Sequence, residues 1–255
     1  VPVSYGGGGP LLDRLEIAGN IFETFRQGES VHIFAQVFRT YRQLCWSRYF
    51  LVPRYQVGFE NEEALQSGAF WFYHKVGFRP VERRVLALSE EEQRKIKADP
   101  AYRSPRKILE RLAQSDMVLT LDGDGGNPPR DLQQGKIGLL VTREIGQKFA
   151  GNRLVAVRET TRRVSRALGC FGWRRWPAPQ RLAMERLAPI LALIPDLAHW
   201  TSAEKRGLVR IIRAKGAVRQ AAYIRHLQEH RRLARSLYAL ADSVQPRKAP
   251  RRRST

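Results

Sequence analysis

Gln66-Ser67-Gly68-Ala69-Phe70-Trp71-Phe72-Tyr73-His74-Lys75-Val76-Gly77-Phe78-Arg79-Pro80 is the stretch on which the reading of the fold turns. Ala69 and Tyr73 are four residues apart, which sets them on one face of a short helix. Gly77 follows after another four and is the residue type best suited to close a helix. Phe78 then starts an extended segment. A helix this dense in rings has two readings. Tyr73 is a phenol placed for chemistry, or Phe70, Trp71 and Tyr73 are an aromatic face in a core.

Upstream, Val1 to Pro10 is Gly-rich, with Gly6-Gly7-Gly8-Gly9, and reads as a loop. Leu15 to Phe25, with Ile17, Ile21 and Phe22, reads as a strand. Arg26-Gln27-Gly28-Glu29-Ser30 is a turn whose Ser30 is suited to cap the next helix. That helix, Val31 to Leu44, carries the apolar stripe Ile33, Phe34, Val37, Phe38 and Tyr41. Arg48 to Val57 is a second strand, with Pro53 placing it near an edge or a bulge. Glu60 to Val76 is helical in its second half.

Downstream, Pro80 to Leu88 is extended and Ser89-Glu90-Glu91-Glu92 opens a helix through a capping pattern. Arg106 to Gln114 is another helix and Met117 to Leu121 a short strand. Asp122-Gly123-Asp124-Gly125-Gly126-Asn127 begins like a calcium loop, but Gly126 and Gln133 stand where ligands are needed, so it reads as a linker. Beyond it no strand pattern occurs. Leu132 to Leu168 is helical with a break near Gly151, Cys170 to Pro179 is a loop, and Arg181 to Leu193, Ser202 to Ala214 and Ala217 to Ala241 are helices. The expected layout is therefore a domain at 1–122, a linker at 123–131, a basic helical domain at 132–245 and a disordered basic tail at 246–255.

Charge divides at the same place. Up to Asp122 there are 17 Lys and Arg against 15 Asp and Glu; from Gly123 onward there are 28 against 9. Such asymmetry points to a polyanionic partner for the second half. Its plain alternative is Arg-rich coding, since 36 of the 45 basic residues are Arg. No apolar run approaches the roughly 20 residues of a membrane helix. Cys45 and Cys170 form no metal or redox motif, which makes a reducing cytoplasm the expected setting.

The order of elements from about residue 15 to 85 resembles the GCN5-related N-acetyltransferases. In that family an Asn-x-x-Ala-x-x-x-Tyr-x-x-x-Gly-Phe pattern leads into a late strand; here Gln66 stands at the Asn position. The resemblance implies an α+β chain, with a partial acetyltransferase-like α/β domain followed by an all-α helical domain. It implies acetyl-CoA or another acyl-CoA as ligand, held at Arg26, Gln27, Gly28, Glu29 and Ser30 by backbone N–H groups and a helix N-terminus. It implies that the strand at Tyr49 parts from its neighbour to admit the pantetheine arm. It makes Tyr73 the acid that protonates the departing thiolate, in an N-acyltransferase whose acceptor the sequence does not name.

The rival reading is a non-catalytic basic protein that binds nucleic acid or another polyanion. Arg162, Arg163 and Arg166 share one helix, Arg174 and Arg175 lie between Trp173 and Trp176, and Arg206, Arg210 and Arg213 form one helical stripe. Cations interleaved with rings suit phosphate contact with base stacking. His226-Leu227-Gln228-Glu229-His230 has zinc-ligand spacing on a continuous helix. Only Asp242 is acidic after it, so the motif reads as a solvated helix face.

Overall fold

The computed structural model describes residues 2–22, 24, 29–121 and 134–244. The chain divides into two units, Val1–Pro129 and Arg130–Thr255. Arg26, Gln27, Gly28, the linker and the basic tail lie outside the described residues.

In the first unit the Gly-rich segment is a strand, β1 (Ser4–Leu11), not a loop. It pairs antiparallel with β2 (Arg14–Ile21) through a two-residue turn at Leu12 and Asp13. Glycine is poor in strands on propensity, but contact overrides it. A Cβ on Gly6 would lie 2.9 Å from the Ala18 carbonyl oxygen, and one on Gly8 would lie 2.9 Å from the Leu15 side chain. The helix α1 (Ser30–Cys45) then crosses to β3 (Tyr49–Val52), which runs parallel to β2, as strands joined by a helix can. Ser30 is the first residue of α1, not its cap; Glu29 holds the N-cap position without a side-chain hydrogen bond.

β3 is shorter than its apolar run suggests. Pro53 ends it, and Arg54–Val57 forms a 3-10 turn whose first N–H donates to Asp116 Oδ1 at 2.7 Å. Two short helices follow, α2 (Glu62–Gln66) and α3 (Ala69–Val76), separated by Gly68 at φ +67°. Gly77, at φ +115°, closes α3 as the sequence predicts. β4 is only Arg79–Pro80, and the next helix, α4 (Arg83–Ala98), starts six residues before the expected cap at Ser89. The cause is remote in sequence. Ser115 Oγ accepts the N–H groups of Val81 and Glu82, so a side chain from another element satisfies backbone donors at the helix start. α5 (Arg106–Leu112) and β5 (Met117–Thr120) complete the unit.

The five strands form one mixed sheet in the order β1-β2-β3-β5-β4. Its core is aromatic. Phe38 of α1 lies 5.0 Å from Phe50 of β3 and 5.6 Å from Phe78, and Phe34 lies 5.1 Å from Phe72 of α3. Burying each such ring contributes about 1.5–3 kcal/mol.

Among its described residues the second unit holds helices joined by turns and no strand. α6 (Gln134–Phe149) and α7 (Arg153–Leu168) are separated at Gly151, and Asn152 caps α7 by accepting the Val155 N–H. α8 (Ala178–Leu191) and α9 (Ser202–Lys215) pack on α7, with Met184, Ala188, Leu208 and Ile212 fully buried. The segment Cys170–Pro179 is not all loop: Phe171–Arg175 is a 3-10 turn and α8 begins at Ala178. The last predicted helix is two, α10 (Ala221–Glu229) and α11 (Arg231–Asp242). The break is at His230. Its Nδ1 accepts the Leu233 N–H, which caps α11, and its Nε2 lies 2.9 Å from the Glu204 carbonyl oxygen. His226 and His230 therefore do not share one helical face. Among the described residues no helix is long and apolar enough to cross a membrane.

Candidate functional site

The parallel pairing of β2 and β3 is brief. Arg14, Leu15 and Glu16 pair with Tyr49, Phe50 and Leu51. β2 continues for five residues to Ile21 along β1, while β3 stops at Val52. Past the shared stretch the two strands have different neighbours, and a pocket of about 400 Å³ occupies the space. Tyr5 of β1, Gly19, Asn20 and Ile21 of β2, and Ser30 and Phe34 of α1 line it. So do Tyr55 and Gln56 of the turn after β3, Asn61, Glu63 and Ala64 at α2, and Ala69, Phe72 and Tyr73 of α3.

Local structure fixes these residues. Asn61 caps α2 by accepting the Ala64 N–H at 3.2 Å and donates its own amide to the Tyr55 carbonyl at 3.1 Å, so the α2 start is tied to the turn. A Cβ on Gly19 would lie 3.4 Å from the Phe34 ring, so glycine leaves the pocket wall thin there.

Tyr73 is 4% exposed and lines the pocket from the core side. Its ring meets Phe34 at 5.8 Å and Phe78 at 5.5 Å, edge to face. Tyr73 is thus a core aromatic, as one reading of the sequence has it, and it also lines the pocket. Burial pushes its phenol up to about 12. Next to it, His74 is held down to about 4 by burial and by the Arg79 guanidinium. Arg79 also donates to the His74 carbonyl at 2.9 Å.

Of the expected phosphate cradle, Arg26, Gln27 and Gly28 lie outside the described residues, Glu29 is exposed at the helix start, and Ser30 lines the pocket. Asn61 ties α2 to the turn after β3, and no motif in the sequence marks it for that task. Gly19, Tyr5 and Tyr55 carried no sequence signal, because their role comes from the ending of β3 and not from spacing.

In the second unit the structure sorts the arginines. Arg162 pairs with Glu159 at 3.6 Å, and Arg163 donates to the Ala192 carbonyl. Arg213 donates to Gln180 Oε1 at 2.9 Å and lies 5.4 Å from the Trp176 ring centroid. Arg174 lies 5.9 Å from the Trp173 ring. Arg166 and Arg175 are exposed. Arg206 and Arg210 line a cleft of about 490 Å³ with Leu168, Gly169, Cys170, Ala203 and Val209. No cluster of three or more His, Cys, Asp or Glu that would hold a metal is found among the described residues.

No protein-family model matches the chain, and neither a curated protein nor a solved structure matches it at a significant level.

Proposed function

We propose that the first unit binds acyl-CoA in the pocket beyond the β2–β3 pairing and passes the acyl group to an amine. The observation that carries this reading is the early end of the parallel pairing, with Tyr73 on the wall of the pocket beyond it. An extended pantetheine chain carries two amides and fits a slot beside a strand that has lost its neighbour, where backbone donors and acceptors suit it. The resemblance in element order, and the order of strands in the sheet, support the same reading.

The chemistry asked of the protein is modest. The amine adds to the acyl carbon, the carbon–sulfur bond breaks, the nitrogen loses one proton and the sulfur gains one. A phenol pushed up to about 12 keeps its hydrogen at neutral pH and is a donor to the departing sulfur. The proton given up by the nitrogen restores it, so Tyr73 is unchanged over a turnover.

Titration calorimetry of the full chain with acetyl-CoA tests the binding step. Heat of binding and a raised melting midpoint are expected, since ligand at a hundred times its Kd adds about 2.7 kcal/mol. An unchanged midpoint at millimolar acetyl-CoA overturns the reading. Tyr73→Phe keeps acyl-CoA affinity and lowers the turnover rate by about 10²–10⁴-fold. An unaltered rate removes Tyr73 from the chemistry while leaving the pocket assigned.

A further inference from the structure

We propose that the exposed face of α9 and the adjoining turn at Cys170–Trp176 form a binding surface for single-stranded nucleic acid. This stands on the second unit alone and is independent of the acyltransferase reading.

Three observations converge on this surface. Arg206 and Arg210 are exposed, and neither has an ion pair or hydrogen bond to another described residue. They line a cleft of about 490 Å³ together with the apolar side chains of Leu168, Ala203 and Val209, a volume in the range of small-ligand sites. Apolar side chains beside two guanidiniums suit a ligand with a flat apolar part and an anionic part, as a nucleotide has. The acidic residue of α9, Glu204, does not compete, because its carboxylate is turned back onto the Thr201 N–H and hydroxyl.

A ring follows the cleft lining directly in the chain. Cys170 lines the cleft, and the next residue, Phe171, is 75% exposed. Its open face is available to stack on a base. Further along α9, Arg213 reaches Trp176. From Arg206 to Arg213 the helix advances about 10 Å, about three steps of a stacked strand at 3.4 Å each. Phosphates on the arginine stripe and bases on the rings is the arrangement of single-strand binders. Bases paired within a duplex do not offer their faces in this way, so single strands are the expected occupant.

The test is fluorescence anisotropy of labelled oligothymidine and oligouridine strands with the full chain, against the matching duplex and against heparin. Arg206→Ala/Arg210→Ala reduces the magnitude of the log–log salt slope by about 1.4, from about 0.7 for each phosphate that is no longer neutralised. Arg231→Ala/Arg235→Ala removes two exposed cations at the same spacing on α11 and leaves that slope unaltered. Phe171→Ala weakens single-strand binding about tenfold, within the range measured for one stacked base, and leaves heparin affinity unchanged. The proposal is overturned by an equal slope change in the α11 pair or by duplex binding as tight as single-strand binding. A Phe171→Ala variant that binds the strands like the parent chain overturns it as well.

Discussion

In Val1–Pro129 the carboxylates Glu62 and Glu92 hold cations within the fold, whereas on α9 of Arg130–Thr255 the guanidiniums of Arg206 and Arg210 find no partner among the described residues. Glu92, fully buried on α4, accepts from Lys95, Tyr102 and Ser104 at 2.7–2.9 Å. Burial alone would raise its carboxyl, but these three bonds outweigh it and hold it below the usual range. Arg106 bridges Glu62 and Glu110 at 2.6 and 2.9 Å. The Arg106 guanidinium, followed by Gln66, holds the Glu62 carboxyl down to about 2. That cluster is exposed, so it adds little to stability and is screened by salt. The contrast is between a near-neutral unit that holds a shaped pocket and a basic unit that leaves guanidiniums open to solvent on α9.

The contrast is most easily broken through the aromatic core. If rings and not ion pairs hold the first unit, Phe50→Ala costs it about 4 kcal/mol. The loss should be the same in low and high salt, measured by urea unfolding. A loss under about 1 kcal/mol, well below the usual cost of deleting a buried ring, would show that the rings are not the support.

The next largest effect is acid sensitivity. His74 takes a proton near pH 4 in the folded chain and near 6.5 when unfolded. The unfolded state therefore binds the proton first. This contribution is complete above about pH 6.5 and is lost as pH falls toward 4, up to about 3 kcal/mol. His74→Phe flattens that part of the urea midpoint against pH. Parallel curves for parent and variant would remove His74 from the account.

The smallest effect lies in the second unit. Thr201 and Glu204 form a reciprocal capping box at the start of α9. Thr201→Ala costs about 1 kcal/mol and moves only the second unit's transition in calorimetry. A shift in both transitions would mean that the units do not melt separately.

Much of this was readable in the chain. The stripe of α1, the closure of α3 at Gly77 and the break at Gly151 follow from local spacing and the glycine backbone. What was not readable depended on distant partners. α4 starts early because Ser115 meets its first donors, and the final helix breaks because His230 turns to cap α11 and meet Glu204. The pocket was half legible. Tyr73 stood out, but the residues facing it are set by where β3 stops, and Asp116, 62 residues from Arg54 in the chain, helps to fix that point.

The four glycines of β1 are identical letters, yet their surroundings alternate. Added methyl groups would collide at Gly6 and Gly8, while Gly7 and Gly9 have nothing within 4 Å. A homopolymeric run therefore carries a parity that no reading of its composition displays. A side chain at Gly7 or Gly9 meets nothing, one at Gly6 meets the Ala18 backbone, and one at Gly8 must displace the side-chain ends of Leu15 and Tyr41. Because the run itself cannot count, the tight turn at Leu12 and Asp13 keeps its phase, and one residue inserted there would exchange the two sets.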